Sequence, residues 1–311
     1  MDRTDRKIVL VTRRTRLEEL VARHNTVEQA RFQTERLGMD FGDFLEEDRL
    51  HRAALDALTP ALQVHGRLQR LDRRFLPNFL FPPDCLVVVL GRDGLVANTL
   101  KYLDGQPVLA VNPDPARWDG VLLPFAVDDV SAVLPEVMRG RRPVREITMA
   151  CARLDDGQSL LAVNDLFIGM RGHASARYEI ALDGQRERQS SSGIIVSTGL
   201  GSTGWLRSIL TGACAVAGRD ADEGMLGIRQ HGFAWNSRTL VYNVREPYPS
   251  RTTEAGLVFG QIPEGGSLRI RSLMPEHGLI FSDGMESDGL EFRSGLEATI
   301  GVAPRPGLLL G

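Results

Sequence analysis

In the first half of the chain, compact apolar runs alternate with apolar residues at helical spacing. In the second half, short strand-like runs follow one another. Ile8 to Val11 is a β-branched run, followed by Thr12-Arg13-Arg14-Thr15 and a long segment with Leu17, Leu20, Val21, Val27 and Ala30 at helical intervals. A second helix is expected from Glu46 to Leu58, ending at Thr59-Pro60. Leu86 to Leu90 is wholly apolar and predicts a buried strand bounded by Gly91. A helix from about Leu95 to Leu103, a strand at Val108 to Val111 stopped by Asn112-Pro113-Asp114-Pro115, and a helix over Val127 to Met138 follow. Such alternation predicts a parallel sheet covered on both faces.

After Pro143 the rhythm changes. Ile147 to Leu154, Leu160 to Ile168, Ala176 to Leu182, Ile194 to Ser197, Thr239 to Val244, Leu268 to Ile270 and Leu279 to Phe281 read as strands. Asp155-Asp156-Gly157, Asp183-Gly184 and Asp283-Gly284 punctuate them as hairpin turns. Leu206 to Leu210 is a helical insert. The organisation expected is an α/β domain over residues 1–142 and a β-rich domain over 143–295, with the tail 296–311 returning to the first.

Length and composition agree with this division, since 311 residues at 42% hydrophobic can bury two ordinary cores. A net charge of −3 with mixed signs gives no polyanion-binding surface, so nucleic acid is not an expected partner. Positive charge is nearly all arginine, Lys7 and Lys101 being the only lysines. Cys85, Cys151 and Cys214 lie far apart without a CxxC pair, which fits reduced thiols and a cytoplasmic setting. No apolar stretch is long enough for a membrane span, and Met1 to Lys7 does not read as a secretory leader. The histidines show no metal-ligand spacing and GxSxG is absent, so neither a protein metal site nor a serine hydrolase is expected.

Three places carry candidate chemistry. Gly91-Arg92-Asp93-Gly94 joins an apolar strand to a helix, so backbone N–H groups can meet a phosphate while Asp93 projects at the strand's carboxyl end. An ordinary βα turn uses the same residue types. Nothing here is a Walker A loop. Gly199-Leu200-Gly201-Ser202-Thr203-Gly204 matches GxGxxG, but it lies deep in the β-rich half with no later strand bearing a ribose-binding acid. Such a loop, ending in Trp205, can instead hold a base by hydrogen bonds and stacking, or simply connect strand to helix. Asn164-Asp165 pairs an amide with a carboxylate, the groups that read ribose hydroxyls and equally the groups that make turns and caps.

Taken in order, these pieces resemble the NAD kinase family. Leu90-Gly91-Arg92-Asp93-Gly94-Leu95 matches its strand-GGDGT-helix signature, and Pro107 to Pro113 resembles the strand and turn that follow. Asn164-Asp165 corresponds to its Asn-Glu pair and Gly201 to Trp205 to its GSTAY loop. The chain is most similar to the divergent mitochondrial-type branch and its bacterial relatives. Ser191-Ser192-Gly193-Ile194 stands where most members have Gly-Asp-Gly, Trp205 replaces a tyrosine, and Leu20 to Leu37 and Arg245-Glu246-Pro247 resemble segments of that branch.

The resemblance implies a Rossmann-like α/β domain followed by an antiparallel β-sandwich, a fold shared with diacylglycerol kinases. It implies transfer of the γ-phosphate of Mg2+-bound ATP to the adenosine-ribose 2′-hydroxyl of NAD(H), with Asp93 as general base and Gly91, Arg92, Gly94 and Leu95 along the phosphates. Asn164, Asp165 and Ser192 would hold the dinucleotide, with Thr203, Gly204 and Trp205 at the base, in a homodimer or homotetramer. Two positions depart from the signature: Arg92 replaces its second glycine and Leu95 its threonine. The arginine either obstructs a close backbone approach or clamps phosphate itself. A silent nucleotide-binding protein of this fold, and a kinase for a lipid or sugar hydroxyl, are the competing readings.

Overall fold

The computed structural model describes residues 6–218 and 223–311, so residues 1–5 of the N-terminal reading lie outside the described residues. Two compact units emerge: the first runs to Arg145 and regains Leu308–Gly311, and the second is Glu146–Gly307.

In the first unit, strands β1 (Lys7–Thr12), β2 (Arg67–Asp72), β3 (Leu86–Leu90), β4 (Pro107–Asn112), β5 (Phe125–Ala126) and β6 (Val144–Ile147) are interleaved with helices. The helices are α1 (Arg16–His24), α2 (Val27–Arg36), α3 (Phe41–His65), α4 (Asp93–Leu100) and α5 (Val130–Met138). The sheet runs β2-β1-β3-β4, then a last strand Gly307–Leu310, then β6, with β5 on β4. The pairings β2-β1-β3-β4-β5 are parallel. Leu58 and Leu62 of α3 and Val130 and Leu134 of α5 close over Leu10, Val88 and Leu109. Val9, Val11, Val87 and Val89, pointing the other way, are equally buried. A strand buried on both faces needs no alternation, which is why β3 reads as one apolar run.

In the second unit two six-stranded antiparallel sheets share one core. One contains β7 (Ala150–Leu154), β8 (Ser159–Ala162), β10 (Ala176–Leu182), β11 (Gln185–Ser191), β15 (Leu268–Ser272) and β18 (Glu297–Val302), in the order β11-β10-β15-β18-β7-β8. The other contains β9 (Asp165–Met170), β12 (Ile194–Ser197), β13 (Thr239–Val244), β14 (Phe259–Pro263), β16 (Gly278–Ser282) and β17 (Met285–Glu291), in the order β14-β13-β12-β9-β16-β17. Helices α6 (Trp205–Ala217) and α7 (Glu223–His231) follow β12, and Leu206 and Leu210 of α6 pack on Val241. Within the tail, β18 pairs inside this unit, while β19 (Gly307–Leu310) pairs with β4.

Several elements depart from the sequence pattern for identifiable reasons. The first helical segment divides at Asn25, whose φ of 70° ends α1, and Thr26 caps α2 by accepting from Gln29 N–H. Helix α3 continues through Pro60, which stands on its exposed face where the missing N–H leaves only a solvated carbonyl. The run Leu160 to Ile168 breaks into β8 and β9 at Val163-Asn164. Strands β2, β11, β14 and β17 have no apolar alternation because each is the outermost strand of its sheet. Asp183-Gly184 and Asp283-Gly284 turn with positive φ at both residues, as tight hairpins require.

Leu109→Ala and Ile270→Ala, one in each core, are each expected to cost about 2–5 kcal/mol in urea unfolding. A loss under about 1 kcal/mol at either position would mean that its core is not closed.

Candidate functional site

The carboxyl end of β3 opens directly into the Gly91 turn. Gly91 N–H donates to the Val111 carbonyl (3.3 Å), and a Cβ on Gly91 would press on Leu95. Leu95 is a buried side chain of α4 rather than a group facing outward, and Gly94 is exposed with open space where a Cβ would stand. Asp93 is the first residue of α4, where the helix dipole favours a carboxylate. Its Oδ1 accepts from Leu122 N–H at 2.6 Å. Asn112 steadies the start of the same loop, accepting from Asp114 N–H (3.0 Å) and donating to the Trp118 carbonyl (3.0 Å).

Arg92 turns towards α3. Its guanidinium lies 3.6 Å from the Trp118 ring centroid and 3.0 Å from Glu47 Oε2. Glu47 also receives Arg16 Nε at 2.5 Å and lies 3.8 Å from Arg13. Asp43, one helical turn earlier, binds Arg16 at 2.6 Å and Arg117. Burial lowers the Arg92 pKa from its ordinary value; Glu47 opposes this, while Arg13, Arg16 and Arg117 add to it. Arg92 Nη2 thus meets Glu47 as an ion pair without hydrogen-bond geometry, and Arg117 Nη1 is buried with no hydrogen-bond partner among the described residues.

In the second unit the sheet register assembles the remaining groups. Across β12, β9 and β16, Ser197 stands opposite Asp165, and Ile195, Phe167 and Phe281 form the neighbouring row. These residues alternate with Leu166 and Ile168, which enter the core, so they share the opposite face. The Asp283 carboxylate accepts from the N–H groups of Val163 (3.0 Å), Asn164 (2.6 Å) and Asp165 (3.3 Å), which breaks the run into two strands. Asp165 Oδ1 is buried and has no hydrogen-bond partner among the described residues. Burial pushes its carboxyl up to about 7, a hydrogen bond from Ser197 opposes this, and the charge of Asp283 adds to it. Near neutrality such a group both donates and accepts, which suits a diol.

The glycines of the GxGxxG match serve close packing. A Cβ on Gly201 would collide with the Asn164 carbonyl, and one on Gly199 with the Ala234 carbonyl. Ser202 is buried, donating to the Gly199 carbonyl (2.7 Å) and accepting from Phe233 N–H (3.1 Å). Thr203 and Gly204 are exposed at the start of α6. Trp205 stacks on Phe167 (centroids 5.9 Å, planes 12° apart) and Phe281 (6.5 Å, 22°), with the Arg245 guanidinium 5.6 Å from its ring. Phe167 lies flat over Gly169 and Gly193, either of which would strike the ring if it carried a Cβ. Ser192 is exposed beside Gly193, its N–H donating to the Arg245 carbonyl (2.9 Å).

Gly91 to Leu95 thus gather in the first unit, and Asn164, Asp165, Ser192 and Thr203 to Trp205 belong to the second. Sequence reasoning passed over Glu47, Trp118, Phe167, Asp283 and the Arg245 side chain. Phe167 was accessible from the period-two pattern, because Asp165, Phe167 and Gly169 fall on one side of a strand whose other side is apolar.

No protein-family model matches the chain. Over 129 residues it is 31% identical to the NAD kinase of Cupriavidus pinatubonensis, covering 40% of this chain and 42% of that protein. Over 130 residues it is 32% identical to the NAD kinase of Halorubrum lacusprofundi, covering 39% and 46%. The chain therefore spans less than half the length of the curated relatives it matches. Among solved structures, yeast NADH kinase complexed with NADH superposes with a TM-score of 0.60 at 15% identity, over 99% of this chain and 84% of the other. An NAD kinase from Archaeoglobus fulgidus in complex with ATP gives 0.55 at 15% identity, over 98% and 93%. The fold is the one these two proteins share.

The raised Asp165 pKa fixes the sign of a pH effect. A carboxyl whose folded pKa exceeds the unfolded value of about 4 contributes stability below about pH 4 and loses it as pH rises through about 7. Relative to Asp165→Asn, the wild-type urea midpoint is therefore expected to fall between about pH 5 and pH 7.5. Parallel profiles would mean that Asp165 is already ionised at the lower pH.

Proposed function

We propose that this chain, a member of the NAD kinase family by sequence and fold, transfers the γ-phosphate of ATP to the adenosine-ribose 2′-hydroxyl of NAD(H). The observation that carries this reading is the setting of Asp93. It stands at the carboxyl end of a central parallel strand with Oδ1 held by Leu122 N–H, which leaves Oδ2 to receive the hydroxyl proton. The N-terminal turn of α4 and the backbone from Gly91 to Gly94 would meet the phosphates. Leu95 would contribute through the packing that holds this turn, since its side chain is buried.

On the acceptor side, Asp165 and Asn164 would hold the ribose, and the Phe167-Trp205-Phe281 stack with Arg245 would bind the base, with Thr203, Gly204 and Ser192 at its edge. Among the described residues no group of three His, Cys, Asp or Glu side chains could hold a metal ion. Mg2+ would enter as part of the ATP complex, where it offsets phosphate charge.

Asp93→Asn keeps an acceptor for Leu122 N–H while removing the base. It is expected to lower NADP(H) formation from Mg2+-ATP and NAD(H) by about 10²–10⁴-fold. Unchanged turnover, or no product with wild type, would sink the proposal. Trp205→Ala should weaken NAD binding by about 1–3 kcal/mol in calorimetry. Equal affinity would confine the ring to packing on Phe167 and Phe281.

A further inference from the structure

The aromatic stack of the second unit belongs to a longer row of side chains. Strand pairing sets Phe259 of β14, Asn243 of β13, Ile195 of β12, Phe167 of β9 and Phe281 of β16 side by side across one sheet. Tyr242 and Val244, which flank Asn243 on β13, enter the core, so Asn243 stands on the same outer face as Phe167. Two residues before it, Val241 lies against Leu206 and Leu210 of α6. Two residues after it, Arg245 extends its guanidinium to the Trp205 ring. Asn243 is the one polar member of an otherwise apolar row.

Only 8% of Asn243 is exposed, and its Oδ1 is buried with no hydrogen-bond partner among the described residues. A carboxamide taken out of water without a partner costs stability, and a leucine of similar size would occupy the position without that cost. The next outer row carries Ser197 and Asp165, so the groups that suit a sugar and those that suit a ring fall on adjacent rows. Two strand spacings, about 10 Å, separate Asn243 from Phe167. A flat ring resting against the stack therefore turns an edge toward the amide across Ile195. An asparagine amide offers one acceptor beside one donor, and its complement is an NH2 group beside an acceptor, as in its pairing with adenine N6 and N7. A carboxamide on a pyridine ring presents the same pair.

We propose that Asn243 is a specificity-determining residue of the dinucleotide site, its amide pairing with the amino group and adjacent acceptor of the ring bound at the Phe167-Trp205-Phe281 stack. This rests on the dinucleotide-binding half of the reading above and not on phosphoryl transfer. Asn243 selects amino-bearing rings over their deaminated counterparts, because an oxygen in place of the NH2 leaves two acceptors facing each other whichever way the amide turns. Both ends of NAD carry the required pair, one on adenine and one on nicotinamide.

Calorimetric titration of the full chain with NAD, nicotinamide hypoxanthine dinucleotide and nicotinic acid adenine dinucleotide tests this without requiring turnover. Wild type is expected to bind NAD about tenfold or more tightly than one of the two analogues, and the analogue rejected identifies the ring at Asn243. Asn243→Leu is expected to bind NAD and that analogue equally, at the weaker level, while its urea midpoint stays the same or rises. Asn243→Ala should lose the same discrimination, which decides the matter even if Asn243→Leu does not fold. Discrimination that is absent from wild type or survives in the variants overturns the proposal, as does a lower urea midpoint with binding unchanged. The expected binding pattern without NADP(H) formation upholds the residue and defeats the kinase reading. NADP(H) formation with equal binding of all three dinucleotides does the reverse.

Discussion

A strand buried on both faces can offer chemistry only where it ends, and that constraint organises the first unit. The five residues of β3 are wholly buried, so the first polar side chains the chain can present are Arg92 and Asp93. Asp93 begins a helix and ties down Leu122, Arg92 leans on Trp118 and Glu47, and Asn112 at the end of the neighbouring strand fixes the start of the same loop. The turn is thus a junction of β3, α3, α4 and the loop after β4. A substitution within it disturbs several elements at once.

The second unit solves a different problem, that of holding a carboxyl group out of water without neutralising it with a cation. The outer face of its sheet places Asp165 between Ser197 and Asp283, and no arginine is among the groups that move its pKa. Such a group is destabilising by itself and persists because the surrounding sheet over-determines it. The apolar residues that alternate with it supply that determination, since Leu166 and Ile168 are fully buried between the sheets. The aromatic row beside it is fixed with equal economy, because Gly169 and Gly193 clear the space in which Phe167 lies flat.

Much of this was legible in the sequence, and what was not had common causes. Apolar runs such as Leu86 to Leu90 and Val108 to Val111 announced buried strands, and Asp-Gly pairs announced hairpins. Edge strands such as Arg67–Asp72 and Gln185–Ser191 were silent because one side of their backbone meets solvent and selects no apolar rhythm. Gly91 to Gly94, Asn164-Asp165 and Trp205 could be singled out because each is a short motif. Glu47, Trp118, Phe281 and Asp283 could not, since their roles arise from contacts between distant segments. Arg92 illustrates the limit: the sequence showed a bulky cation where glycine is usual, and only the fold showed which carboxylate and which ring it faces.

The clamp that Asp283 makes on residues 163–165 spans 118 to 120 positions of sequence. During synthesis the turn bearing Asp165 therefore remains undefined until nearly all of the second unit has left the ribosome. The sheet of the first unit waits longer still, because β19 must be inserted between β4 and β6. Loop closure over such distances is slow, and meanwhile the apolar strands already made have incomplete partners. The order of synthesis thus leaves the strands of both units without their full set of neighbours until the late segments arrive.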